Sequence, residues 1–249
     1  MFILIDKMKV RPMIDATDSF TIQKKEISNL PTRTLMIASS GYGKSSLLGW
    51  LMCNCGEEGY GKDFKPDNIY IISGSLKGDF KLKKMIDFLE IPEDNLFDNY
   101  DNDVLNELYD NLVDDFNEKI SNGEKADHTL IVMDDLGFSN KLNKVKMEDN
   151  ALERISCNGR KYLVSSIVLN QRIIQCSPTV ISQASNIILW KPNNKDLELY
   201  ESNFNYLDSK KTFNKMVRDN TKSKHNFMSI DFSKDNIYRD QEFKPIEFD

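Results

Sequence analysis

Gly43, Lys44 and Ser45 lie between an apolar run, Thr34 to Ala38, and an apolar pattern at helical spacing, Leu47, Leu48, Trp50, Leu51 and Met52. Strand, small-residue turn and helix, in that order, form the context of a phosphate-binding loop. Such a turn aims successive backbone N–H groups and a helix N-terminus at one point, where phosphate oxygens are stabilised. The residues expected to line that point are Ser39, Ser40, Gly41, Tyr42, Gly43, Lys44, Ser45 and Ser46. Lys44 would reach the outer phosphates of a nucleotide and the Ser45 hydroxyl would ligate Mg²⁺. Ala38 stands where the G-x-x-x-x-G-K-[ST] pattern has its first glycine, a small change at a strand end.

A second constellation begins at Thr129-Leu-Ile-Val-Met133, an apolar strand ending in Asp134 and Asp135. Carboxylates at the carboxyl end of a strand in an open α/β sheet sit beside the ligand crevice. Asp134 is therefore the candidate to hold Mg²⁺ with Ser45, and Asp135 the candidate to polarise an attacking water. Gln171 ends the next strand, Ser165 to Leu169, where its amide could reach a γ-phosphate or that water.

The elements needed to position these groups are legible as apolar, non-alternating strands separated by helical patterns. Asn68–Ser73, Thr129–Met133, Ser165–Leu169 and Asn186–Trp190 join the Thr34–Ala38 run as buried strands. Leu105, Leu108, Leu112, Phe116 and Ile120 recur at spacings of three and four, forming one helical stripe. Further helices are expected around 147–157, with Asn158-Gly159 as a C-cap, and from Asp196 and Ser209. Short strands are expected at Phe2–Ile5 and Phe20–Gln23, and a last one at Asn226–Phe232. The fold class implied is α/β, a P-loop NTPase with a mainly parallel sheet flanked by helices on both faces. Three segments are expected along the chain: an N-terminal edge segment 1–30, a core 31–206 and a basic C-terminal extension 207–249.

Composition narrows the partners. The 249-residue chain is 40% hydrophobic and has no apolar run of the ~20 residues a bilayer-spanning helix needs, so no membrane role is expected. Its four cysteines show no zinc spacing and read as buried free thiols of a reducing compartment; its two histidines are too isolated for a metal cluster. The net charge of −6 is unevenly spread: Asp87 to Glu118 holds 12 acidic residues and no Lys or Arg. Outside that block 33 basic residues exceed 27 acidic ones, and Lys210 to Lys224 holds six cations against one Asp. Net charge therefore does not argue against a nucleic-acid partner.

Taken together, Leu30–Ile37 with its phosphate loop, Leu130–Gly137, Asn158–Lys161, Ser166–Gln171, Pro178 and Ser185–Leu189 resemble the DNA-packaging ATPases of the FtsK/HerA superfamily in poxviruses, other large DNA viruses and virophages. The resemblance implies an additional-strand, RecA-like domain that works as a homo-oligomeric ring. It also implies ATP and Mg²⁺ as cofactors, double-stranded DNA bound without sequence specificity, and a capsid or portal partner in the infected cell's cytoplasm or on the virion. Relatives carry an Arg a few residues after the proline that follows Gln171, where this chain has Gln183. Arg160, in a Gly-Arg-Lys sequence similar to the family's Gly-Arg-His, is then the candidate arginine finger acting on a neighbouring subunit, with Arg172 second. The Lys-bearing segments 77–84, 141–146 and 210–224 are candidate DNA-gripping surfaces. A cellular-type FtsK/HerA translocase, a helicase loader and a non-hydrolysing ATP switch are the alternatives that keep the same loop.

Overall fold

The computed structural model describes residues 20–134 and 149–247. Eight strands form one sheet in the order β3-β2-β4-β5-β1-β6-β7-β8. They are β1 (Arg33–Ile37), β2 (Ile69–Ser73), β3 (Leu96–Phe97), β4 (Thr129–Asp134), β5 (Val164–Asn170), β6 (Asn186–Trp190), β7 (Phe227–Asp231) and β8 (Tyr238–Arg239). The first six pair in parallel; β7 is antiparallel to β6, and β8 to β7. The central strands are buried on both sides, which is why their sequences run apolar without alternation.

Successive side chains of each strand enter opposite cores. Met36, Ile69, Ile71, Leu130, Val132, Ile167, Leu169 and Ile188 pack on one face with Leu48, Leu51 and Met52 of α1 (Lys44–Cys53) and Leu82 and Met85 of α2 (Phe80–Leu89). On the other face lie Leu35, Ile37, Ile131, Met133, Val168, Ile187 and Leu189. That face is covered by α3 (Asn102–Ser121), α4 (Ala151–Asn158), α5 (Pro178–Gln183), α6 (Asn194–Phe204) and α7 (Lys210–Asn220). The helix after β1 and the helix after β5 thus lie on opposite faces of two adjacent strands. This leaves a crevice at their carboxyl ends, the usual ligand position in such sheets.

Several local expectations are corrected. Phe20–Gln23 forms only an isolated bridge, Ile22 to Leu30, because the intervening loop is held by side chains, with Asn29 Oδ1 accepting from the Lys24 amide at 2.9 Å. Gly159 does cap α4 as expected, but at φ −52 it leads directly into a short 3₁₀ turn, and Leu163 at the end of that turn takes the positive φ of 59. The α3 stripe is only partly buried: Leu105 is enclosed, Leu108 and Leu112 are half-buried against the core, Phe116 packs on the Tyr162 ring and Ile120 is exposed, while Tyr109, off the stripe, is buried. Of the thiols, only Cys176 is buried. The two-residue strands β3 and β8 are too short to leave a sequence signal. The expected Phe2–Ile5 strand and the first residues of the 147–157 helix lie outside the described residues.

Candidate nucleotide-binding site

The residues from Ser39 to Gly43 connect β1 to α1. Gly41 and Gly43 take φ values of 76 and 108, left-handed conformations that a side chain would strain. Every other described α-helix has an Asp, Asn or Ser side chain accepting from its first turn. Helix α1 has none, and its N-cap is Gly43. Its leading N–H groups are left for an acceptor from outside the helix, and their dipole favours an anionic one.

Around this helix end opens a cavity of about 890 Å³, lined by Ser40 to Leu47 and by Asp134 and Gln171 from the ends of β4 and β5. The volume suits a nucleotide-sized ligand. Parallel pairing brings these groups together: Asp134 is in register with Leu169 of β5, and Ile37 of β1 with Asn170 of that strand. Lys44, Ser45, Asp134 and Gln171 therefore share one crevice. Ser39 adjoins it in the same loop, and Asp135 lies outside the described residues.

Lys44 Nζ donates to the Ala38 carbonyl at 2.5 Å, folding back along its own loop. Ala38 itself is buried in the α1-side core and its amide donates to the Asn170 carbonyl, so the methyl in place of glycine packs in the core and does not line the cavity. The Gln171 amide donates to Gln175 Oε1 at 2.9 Å, which fixes the chain just as it leaves β5. Ser45 and Asp134 supply a hydroxyl and a carboxylate, the hard oxygen donors that Mg²⁺ takes alongside phosphate oxygens.

Three residues at the rim are not placed in this cleft by the sequence, which marks Lys81 and Lys224 as parts of candidate DNA-gripping segments and gives His225 no role. Lys81, at the start of α2, donates from Nζ to Ser46 Oγ at 2.6 Å, so one lysine of the 77–84 segment belongs to the cleft. In the same segment Lys77 pairs with Asp98 at 2.9 Å and Lys84 lies over the Phe80 ring. The turn between α7 and β7 brings Lys224 over the Tyr42 ring and His225 Nδ1 to 3.3 Å from the Tyr42 carbonyl. No sequence signal links residues 180 positions apart; antiparallel addition of β7 beside β6 makes the contact. The 141–146 segment lies outside the described residues.

The two candidate finger arginines differ in placement. Arg172 pairs with the buried Asp196 at 3.3 Å within its own chain. Arg160 precedes β5 and lines a separate cavity with Arg33, at the amino ends of the strands. β1 runs from Arg33 to Ile37, and five strand residues span roughly 16 Å, so Arg160 lies far from its own phosphate loop.

Among solved structures, the chain resembles the genome-packaging NTPase B204 from Sulfolobus turreted icosahedral virus 2 in complex with AMP. The TM-score is 0.57 at 16% identity, covering 87% of this chain and 98% of that one. The fold is that of a P-loop NTPase. A second match is B204, the DNA-packaging ATPase from Sulfolobus turreted icosahedral virus, with a TM-score of 0.53, 17% identity and coverage of 88% and 100%. The same P-loop NTPase fold appears in the pCW3 conjugation coupling protein TcpA with ATPγS, at a TM-score of 0.51 and 14% identity, covering 84% of this chain and 61% of TcpA. No family model and no curated protein sequence matches the chain. Among the described residues no helix is long and apolar enough to cross a membrane.

Proposed function

We propose that this chain is an ATP-hydrolysing motor that moves double-stranded DNA into a viral capsid, working as a homo-oligomeric ring with a capsid or portal partner. The observation that carries the reading is the convergence of Lys44, Ser45, Asp134 and Gln171 on one crevice at the uncapped start of α1. Similarity over most of the chain to a viral packaging NTPase adds support, since B204 has that role by its own description.

In this reading Lys44 leaves the Ala38 carbonyl for the outer phosphates of ATP and stabilises charge on the transferred phosphoryl group. The α1 N–H groups hold the remaining phosphate oxygens. Mg²⁺, held by Ser45 and Asp134, would neutralise charge between the outer phosphates. Asp135 orients and polarises the attacking water. Gln171 senses the γ-phosphate, and the fixed chain between it and Gln175 passes the loss of that group to the rest of the domain. Arg160 completes the charge stabilisation on a neighbouring subunit. DNA is held through its phosphates, so binding weakens steeply with salt. The cations of α7 remain the candidate DNA surface, with the acidic 87–118 block facing away from the duplex.

The test is steady-state ATP hydrolysis with duplex DNA, with single strands and with no DNA. Stimulation by duplex, lost in Lys44→Ala and Asp135→Asn, supports the motor. Stimulation by single strands alone moves the reading to a helicase loader. Tight nucleotide binding without turnover on any DNA moves it to an ATP switch. Duplex-stimulated activity with no capsid or portal association leaves a translocase of the cellular FtsK/HerA type.

A further inference from the structure

The two sides of the nucleotide crevice are lined by residues of different kinds. The strands beneath it run in the order β4, β5, β1, β6, β7. On one side of the phosphate loop lie Asp134 and Gln171, at the ends of β4 and β5. On the other side lie Trp190, which ends β6, Phe227, which opens β7, and His225 from the turn before it. In the proposed reaction Mg²⁺ and the γ-phosphate belong with Asp134 and Gln171, so the nucleoside extends toward β6 and β7. From the loop above β1, β7 is two strand spacings away, roughly 10 Å, which a base can cover when its phosphates lie in the loop. Phe80, exposed at the start of α2, also lines the cavity, but it follows β2, on the far side of β4. A nucleotide with its γ-phosphate at Asp134 would have to double back to place its base there.

Phe227 is half-buried, with its ring centroid 5.2 Å from that of Trp190 and 5.5 Å from that of Phe243, both themselves buried. A ring already held in this way loses little freedom when a flat ligand stacks on it. The turn before it is tied to the phosphate loop, with His225 Nδ1 3.3 Å from the Tyr42 carbonyl. A carbonyl only accepts, so Nδ1 carries the proton, and in the neutral ring Nε2 is left as an acceptor. His225 is exposed and stands between the loop and Phe227, where the sugar of a bound nucleotide would pass. No described residue lining this side is an Asp, Glu, Asn, Gln or Arg, and the indole N–H of Trp190 is itself enclosed. The side offers a base a flat apolar face and few groups to read its edge.

We infer that Phe227 is the stacking platform for the nucleobase and His225 Nε2 the acceptor for a ribose hydroxyl, so that the crevice selects its nucleotide by stacking area and not by hydrogen bonds to the base edge. This rests on the reading that the crevice binds a nucleoside triphosphate through its phosphates. The substrate class is then the purine nucleoside triphosphates, ATP and GTP alike. Pyrimidine triphosphates bind more weakly, because a single ring covers less of Phe227.

The experiment titrates ATP, GTP, CTP and inorganic tripolyphosphate calorimetrically into wild type, Phe227→Leu, His225→Ala and Phe80→Leu, with folding checked by thermal melts. Phe227→Leu keeps apolar bulk and removes the aromatic face. It should bind ATP at least about fivefold more weakly, yet hold tripolyphosphate, which has no base, within about twofold of wild type. His225→Ala, at an exposed position, should weaken ATP about two- to tenfold and again spare tripolyphosphate. Should Phe227→Leu fail to fold, His225→Ala decides. Phe80→Leu should change neither affinity, and wild type should bind ATP and GTP within about threefold of each other. Undiminished ATP affinity in Phe227→Leu and His225→Ala, an equal loss for tripolyphosphate, or a loss in Phe80→Leu instead overturns the inference and leaves the phosphate site standing. So does a preference for ATP over GTP beyond about tenfold, the mark of a site that reads the base edge. A wild-type chain that binds neither ATP nor tripolyphosphate overturns both readings.

Discussion

At the residue scale, the crevice carries more positive charge than its loop motif supplies. Lys81 reaches the Ser46 hydroxyl in the first turn of α1 from a different helix, and its own backbone is set by the Asp79 cap. A bound nucleotide would compete for that ammonium. Replacing it, Lys81→Ala, should weaken nucleotide affinity roughly three- to tenfold, the worth of one exposed charge-assisted contact. Titration with a fluorescent nucleotide measures this, and unchanged affinity would remove Lys81 from the site. Lys44, Ser45, Asp134 and Gln171 were legible in the sequence because each has a fixed place relative to a strand end. Lys81 and His225 were not, since helix packing and an added antiparallel strand bring them in from far along the chain.

At the scale of elements, the buried strands were readable because double-sided burial demands uninterrupted apolar runs. Gly159 was legible as the end of α4, but the reason for a glycine there is spatial and was not legible. A Cβ there would stand 3.0 Å from the Val164 carbonyl oxygen, so the close approach of α4 to β5, and not the φ of this residue, favours glycine. Val164 opens β5 in register with Thr129 of β4, so a retreat of its backbone would disturb the start of that pairing. Gly159→Ala should cost about 1–3 kcal/mol, the usual range for overpacking. It should also disturb Arg160, the next residue. A thermal melt reads the first effect; a melting temperature equal to wild type would show that the strand yields. The turn between α7 and β7 was invisible for a different reason, because its polar sequence carries no periodicity although it leans on the phosphate loop.

For the whole molecule, one buried group sets a limit at acid pH. His128 is half-buried, with Nε2 2.8 Å from the Phe20 carbonyl, and burial holds its pKa below the usual 6.5 despite that contact. The unfolded chain therefore takes up this proton first as pH falls. Stability contributed by the neutral imidazole is full above pH 6.5 and declines as pH drops from there toward the lowered folded value. Denaturant midpoints measured across that window should fall for the wild type and flatten in His128→Gln. An equal slope in both would assign the acid sensitivity elsewhere.

In the proposed ring, Arg160 stands at the end of the sheet opposite its own phosphate loop, so it would serve the crevice of a neighbouring copy and activity would depend on assembly. The measurement that tests this most directly is the specific rate of ATP hydrolysis across a range of protein concentrations, with and without duplex DNA. The specific rate should climb as the chain assembles, rise further on duplex and vanish in Lys44→Ala. A specific rate independent of concentration, or activity retained in Lys44→Ala, would contradict it.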